Sequence, residues 1–305
     1  MGQVKSTILH QRHRKIYSLD VISKKIQKGK YKNIIVMCGA GISKSAGFPD
    51  FRTPSIGIYS KLQKYNLPSP EAIINIDYFK SNPEPFYSLV RELFPKNPHP
   101  TQTHKFLSLL DQKGFLKRVY TQNIDSLEHA SGLDSNKIVE AHGTINRSYC
   151  IECNKSYSLS WLYKEILNPN SNEGVPKCQD CFGIVRPDIV FFNEELPKRF
   201  WDMAEKDFPE CDLLLIFGTS LSVAPFCELV TQLKKNTPRI FINQTKPGSV
   251  GCVERVLGVN TTVKFDRKND IIVLGDCDDI VVSMCKTNKW EDDLNNIKTT
   301  PLHNL

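Results

Sequence analysis

Short apolar runs alternate with amphipathic stretches along most of this chain. The apolar runs Ile34-Ile-Val-Met37, 116–121, 137–141, Ile189-Val-Phe-Phe192, Leu213-Leu-Leu-Ile-Phe217, 239–242 and 271–274 read as strands. Between them lie helical patterns. One spans about 18–28 and stops at Gly29. A second opens at Pro100-Thr101, turns Phe106, Leu107, Leu109 and Leu110 to one face, and closes at Gly114. Others run from Ser126 to Gly132, over 198–207, over 226–235, and after Asp278. Strands that alternate with helices predict an α/β fold, a parallel sheet with helices on both faces. Leu213–Phe217 is apolar throughout, as a central parallel strand should be. Residues 53–100 are rich in Pro and aromatics and read as a helical excursion with loops. The tail from about 291 is polar, contains Pro301, and is expected to fray.

Composition changes this picture little. With 40% apolar and 24% charged residues the chain is of ordinary globular type. No run of about 18 apolar residues marks a membrane span, and the basic, polar first residues have no signal-peptide core. The net charge of +7 suggests a nucleic-acid partner until its distribution is read. Residues 1–32 hold nine Lys/Arg against Asp20 alone, and the rest of the chain carries 31 basic and 32 acidic side chains. Only the leader, about residues 1–30, is basic, so direct nucleic-acid binding is not expected.

Candidate chemistry collects at the carboxyl ends of the expected strands, the edge where open α/β sheets bind ligands. The first strand runs into Cys38-Gly-Ala-Gly-Ile-Ser43, which continues through Gly47-Phe-Pro-Asp50 to Phe51 and Arg52. A strand that breaks into Gly-x-Gly before a helix presents N–H groups to phosphate. Lys44 stands where a dinucleotide fingerprint wants a third Gly, which argues against an ordinary dehydrogenase. Further along the same edge come Gln122-Asn-Ile-Asp125, His142-Gly143, Gly218-Thr-Ser220, Asn243 and Gly275-Asp-Cys-Asp278. An imidazole takes a proton near neutral pH without special tuning, so His142 is a candidate base. Asn123 and Asp125 suit an amide and a ribose, or simply a helix cap. Cys150/Cys153 and Cys178/Cys181 form two C-x-x-C pairs separated by 24 residues. Two such turns place four thiolates about 2.3 Å from one ion, a closed structural zinc site in a reducing compartment. The other cysteines read as buried small apolar residues.

Taken in order, Gly-Ala-Gly-Ile-Ser, Pro-Asp-Phe-Arg, Thr-Gln-Asn-Ile-Asp, His-Gly, the two C-x-x-C pairs, Gly-Thr-Ser and Gly-Asp-Cys-Asp resemble the sirtuin (Sir2) family of NAD-dependent protein deacylases, its eukaryotic deacetylase branch above all. The resemblance covers about residues 30–288. It implies a Rossmann-type large domain over 31–145 and 184–288, with the helical module at about 53–100, a zinc-ribbon small domain over 146–183, and a polar tail over 289–305. NAD then lies in the cleft between them. Gly39, Ala40, Gly41, Ile42 and Ser43 match the pyrophosphate loop. Asp50, Phe51 and Arg52 match the cofactor loop. Gln122, Asn123, Ile124 and Asp125 match the nicotinamide and ribose pocket. Gly218, Thr219, Ser220, Asn243 and Cys277 match the adenosine side, Cys277 through its backbone. His142 matches the catalytic base, with Asn123 beside it in the catalytic set.

The implied reaction is acyl transfer rather than redox. The acyl-lysine oxygen attacks the ribose carbon as nicotinamide departs, and free lysine and O-acyl-ADP-ribose result. Val190, Phe191, Phe192, Asn193 and Glu194 resemble the substrate wall, against which an extended acyl-lysine peptide is expected to lie. Three departures stand out. Asn193 occupies the middle of a Phe-Gly-Glu pattern, Gln244-Thr245 follows Asn243, and the stretch after Pro54 lacks a Tyr and Arg pair, which favours an uncharged acyl group such as acetyl. Met1-Gly2-Gln-Val-Lys-Ser6 fits a myristoylation pattern at Gly2. One such chain with a basic leader gives weak membrane association, so a cytoplasmic protein is expected, with membrane contact and nuclear entry left open. A mono-ADP-ribosyltransferase and a non-enzymatic zinc-ribbon module remain as alternatives.

Overall fold

The computed structural model describes residues 18–48, 67–93, 95, 98–168, 174–248 and 263–302. Gly2, Asp50, Phe51, Arg52 and Cys252 lie outside them.

Six strands form one parallel sheet: β1 (Ile34–Cys38), β2 (Leu116–Thr121), β3 (Ile138–Glu140), β7 (Leu213–Phe217), β8 (Arg239–Asn243) and β9 (Asp270–Leu274). Their order is β3-β2-β1-β7-β8-β9. The chain builds outward from β1 in one direction, returns, and builds outward in the other. β1 and β7 are fully buried because both faces are covered. On one face Ile34, Val36, Cys38, Leu213, Leu215 and Phe217 join the helices Leu19–Gln27, Gln102–Gln112 and Cys277–Asn288. On the other Ile35, Met37, Leu214 and Ile216 meet Phe200, Ala204 and Phe226. This alternation is the period of two that a strand imposes.

The helices follow their end signals. Ser18 caps the helix Leu19–Gln27 by accepting from Val21 N, and Asp20 and the pair Lys24/Lys25 complement its dipole. Ile22 and Ile26, one turn apart, carry its buried side. Thr101 and His104 close a capping box on the helix Gln102–Gln112. The expected helix over 226–235 is instead a 3₁₀ segment, Phe226–Gln232. Its buried residues pair three apart, Phe226 with Leu229 and Cys227 with Val230, which is the spacing a three-residue turn aligns.

A second sheet is antiparallel, with order β5-β4-β6, from β4 (Gly143–Cys150), β5 (Ser156–Ser158) and β6 (Val185–Ile189). It extends to both sides of the cysteine segment. The strand expected at 189–192 therefore ends where it was expected to begin. Val190 leaves the ladder to bond His142 O, and Phe192 pairs with Ile74. A third core carries the helical module: Phe79, Phe86, Tyr87 and Phe191 pack edge-to-face or tilted with centroids 4.9–5.8 Å apart, in one cluster with Leu159, Leu162 and Ile166.

Through residue 302 the tail is packed rather than frayed. Trp290 stacks on Phe115 at 6.0 Å, a helix spans Glu291–Asn295, Leu294, Ile297 and Leu302 are buried, and Thr300 N donates to Ala130 O at 2.8 Å. Apolar residues this sparse give no periodic signal, yet each buried one contributes about 1.5–3 kcal/mol.

Candidate active site

The reversal of strand order lies between β1 and β7, and open sheets of this order bind ligands at that crevice. The turns that leave the strands there are tied to one another. Gly39 N donates to Phe217 O (3.1 Å), Gln122 N to Cys38 O (3.0 Å), Gly218 N to Ile242 O (3.0 Å) and Gly275 N to Asn243 O (3.0 Å). Five strand ends, those of β2, β1, β7, β8 and β9, are thereby joined into one rim. Gly41 N also donates to Gly218 O at 2.8 Å, and a Cβ on Gly41 would sit 2.6 Å from Gly218 Cα. Only glycine permits that approach.

Side chains then lock the rim. Ser43 Oγ donates to Asp125 Oδ2 at 2.6 Å, and Leu127 N donates to Asp125 Oδ1 at 2.9 Å. Asn123 Nδ2 reaches Ser43 Oγ (3.2 Å) and Gly39 O (3.3 Å). Thr219 Oγ1 donates to Gln122 Oε1 at 2.7 Å. Ile124 O accepts from Ile145 N, and Ser220 O from Gly248 N. Asn243 turns its amide onto Thr245, and Lys44 Nζ donates to Gln244 Oε1 at 3.1 Å. Lys44, which breaks the dinucleotide fingerprint, therefore ties the glycine loop to the residue after β8. Cys277 opens the helix Cys277–Asn288, and burial pushes its thiol up to about 12. It is no nucleophile at neutral pH.

His142 follows β3, and its Nδ1 lies 3.0 Å from Gln122 O. A carbonyl only accepts, so Nδ1 carries the proton and Nε2 the lone pair. Burial holds the ring below the ordinary histidine value, against the opposing pull of that bond. The neutral imidazole is thus fixed as a base. Gly143 next to it has φ +72, and a Cβ there would lie 2.1 Å from Asp188 O, so glycine lets β4 and β6 close up behind the ring. Val190 N bonds His142 O at 2.9 Å, which brings the segment 190–194 directly to this edge.

Within that segment Phe191 is buried in the aromatic cluster while Phe192 is 41% exposed. Asn193 has φ +73, the left-handed conformation for which glycine serves best and Asn is among the better substitutes. The departure from Phe-Gly-Glu therefore keeps the turn. Arg186, absent from the sequence-based site, holds it. Its guanidinium donates to both carboxylate oxygens of Glu194 at 2.6 and 2.7 Å and lies 4.5 Å from the Phe191 ring centre, while Phe191 N donates to Glu194 Oε2. A bidentate pair of this kind fixes orientation as well as charge. Eight residues of separation gave it no spacing signal. His104 carries a local signal of its own, since Thr101-x-x-His104 is the spacing of a capping box.

Cys150, Cys153, Cys178 and Cys181 converge, with all four sulfurs within 4.8 Å of one another. The Cys150–Cys181 and Cys153–Cys178 sulfurs are 3.4 and 3.6 Å apart. A tetrahedron with bonds of about 2.3 Å has edges of about 3.8 Å, so the set fits one zinc ion. Glu152 N points at Cys150 Sγ, and Tyr157 Oη and Asp180 N at Cys178 Sγ. Donors aimed at sulfur favour the thiolates that zinc needs.

The Sir2 family model matches residues 39–225. The chain is 46% identical over 282 residues to the NAD-dependent protein deacetylase sirtuin-2 of Danio rerio, covering 91% of this chain and 73% of that protein. It is 46% identical over 283 residues to the NAD-dependent deacetylase sir2A of Dictyostelium discoideum, covering 92% of this chain and 53% of that protein. With the NAD-dependent protein deacetylase hst2 of Schizosaccharomyces pombe it shares 41% over 302 residues, 99% of this chain and 85% of that protein. A matched family model, relatives alike across nearly the whole chain, a sheet that reverses at β1/β7 and a four-thiolate cluster agree: the chain belongs to the Sir2 family.

Proposed function

We infer that the protein removes acyl groups from protein lysines in an NAD-dependent reaction, with acetyl as the preferred group, and that one structural zinc ion holds its small sheet. The observation that carries this is the joined rim of strand ends, with a neutral histidine fixed beside it. Bound NAD supplies a glycosidic bond whose cleavage releases nicotinamide and leaves a sugar carbon open to the acyl oxygen. The chain's own residues do the rest. Gly39, Ala40, Gly41, Ile42 and Ser43 form the tight loop at the switch point against which a pyrophosphate would lie, with the N–H groups of Gly39, Gly41, Ile42 and Ser43 engaged within the protein and shaping that loop. Asn123, Asp125 and Ser43 form a braced polar wall suited to an amide and a ribose. His142 takes a proton from a sugar hydroxyl at Nε2 while Gln122 O keeps its tautomer. Gly218, Thr219, Ser220, Asn243 and Cys277 form the rim beyond, on the adenosine side. The segment Val190–Glu194, braced by Arg186, offers main chain to an extended peptide.

Relatives named deacetylases favour this over ADP-ribosyl transfer to protein. Incubation with NAD and a panel of acyl-lysine peptides, read by mass spectrometry, tests it. Free lysine and O-acyl-ADP-ribose are expected in step, strictly dependent on both substrates and highest for acetyl. ADP-ribose left on protein without peptide would mark a transferase instead. Gly41→Ala is expected to weaken NAD binding by calorimetry at least tenfold, because the new methyl drives the glycine loop off Gly218. Unchanged affinity would remove the loop from the site. The Gly2 pattern supports a myristoylated leader with weak membrane affinity; intact mass of the protein from a eukaryotic host decides it by the presence or absence of the acyl increment.

A further inference from the structure

Behind the rim lies a polar cluster that the reaction above uses only through Asp125. His104, Asp125 and Glu128 come from three places: the helix Gln102–Gln112, the loop after β2, and the short helix Leu127–Ala130. One ligand atom from each lies within 4.8 Å of the others. All three are buried, His104 at 0%, Glu128 at 1% and Asp125 at 6% exposure. His104 Nε2 and Glu128 Oε1 have no hydrogen-bond partner in the protein. Buried polar atoms are rarely left so, and two aimed into one cluster point to something shared between them.

The hydrogen bonds decide what is shared. Thr101 N donates to His104 Nδ1 at 3.2 Å, so the ring proton sits on Nε2. Nε2 is then a protonated nitrogen beside two carboxyls, with no lone pair to give a metal. Burial pushes His104 down to about 3, outweighing Asp278, so the ring brings no positive charge. The two carboxyls must settle the charge themselves. Burial pushes Asp125 above the ordinary carboxylate value, but it accepts from Ser43 Oγ and Leu127 N, and both bonds pull back toward its ionised form. Glu128 has one bare oxygen. Burial first, and then Asp125, push it up to about 8, with Thr121 and its own N–H pulling the other way. The remaining groups facing the cluster add no cation: Glu140 acts on both carboxyls, Cys38 lies near both, and Tyr163 faces Asp125.

We propose that Glu128 is the protonated member of a buried carboxyl pair, and that by holding this proton beside His104 it keeps Asp125 ionised and braced on Ser43 at the NAD rim. Glu128 is thus a positioning residue. When it ionises, a second negative charge forms beside Asp125 and the brace on the glycine loop loosens. The proposal rests on the NAD reading only through Asp125; the proton itself is independent of it.

Glu128→Gln, in the full zinc-loaded chain, mimics the protonated form at every pH. A carboxyl raised from about 4.5 to about 8 gives its full stability below the lower value and loses it progressively up to the higher. Without NAD, the variant's melting temperature relative to wild type is expected to rise by about 2 °C per pH unit between pH 5 and 8, then level off. In peptide deacylation, wild-type kcat/KM falls beyond pH 8 and the variant's does not. Should Glu128→Gln fail to fold, infrared difference spectra of wild type supply the same test, as a protonated-carboxyl band that titrates near pH 8. A melting difference flat in pH, no such band, or metal analysis finding a second ion per chain overturns the proposal. If the melting profile behaves as expected but no deacylation occurs, the proton store stands and the deacylase reading fails.

Discussion

His142→Ala is expected to lower kcat/KM for an acetyl-lysine peptide by about 10²–10⁴-fold while leaving melting temperature and zinc content close to wild type. The ring is part-exposed and bonds Gln122 O, so its loss takes little from the fold. It takes away the lone pair at Nε2. The pH profile gives a second reading. A base works in its neutral form, and burial holds His142 below the usual 6.5. Wild-type kcat/KM is therefore expected to stay level as pH falls to 6.5 and to decline only below it, on a limb that His142→Ala lacks. Stopped-flow or discontinuous peptide assays across pH 5–8 check both. Activity retained in the alanine variant, or an acid limb common to both proteins, would place the base elsewhere.

Cys178→Ser is expected to reduce zinc from one ion per chain to well below one, and to lower the melting temperature by about 5–10 °C, measured by metal analysis and calorimetry. Cys178 is buried, receives Tyr157 Oη and Asp180 N, and its own N–H bonds Gly183 O. Around the four sulfurs the core contains little else: Tyr157, Val185 and the partly buried Trp161. So small a cluster cannot hold the cysteine-bearing end of the sheet by burial alone, and the metal supplies the missing stability there. The effect on turnover follows indirectly, because β6 leads straight into Val190–Glu194. Full zinc content with an unchanged melting temperature would refute the assignment.

Much of this molecule is legible in its residues. β1 and β7 are continuous apolar runs because they are buried on both faces, and their ends are written in Gly-Ala-Gly and Gly-Thr-Ser. The rim itself was legible because every turn in it carries a Gly, Asn, Asp or His where a strand stops. What stayed hidden has a common cause. Arg186 with Glu194, and His104 with Glu128, work through contacts made in three dimensions, between residue types that usually lie at the surface or cap a helix. The strand misplaced to 189–192 is apolar for a different reason, since Phe191 fills the aromatic cluster rather than a ladder. The tail's few apolar residues each find a separate slot and so leave no period.

That tail ties parts of the molecule that chain order keeps apart. Ile297 sits in the core beneath the parallel sheet, Leu302 in the core of the helical module, and Thr300 is bonded to Ala130 between them. Any opening that slides the module over the sheet must either carry this segment along or extract a leucine from its seat. About 2 kcal/mol of burial therefore fastens the module to the sheet.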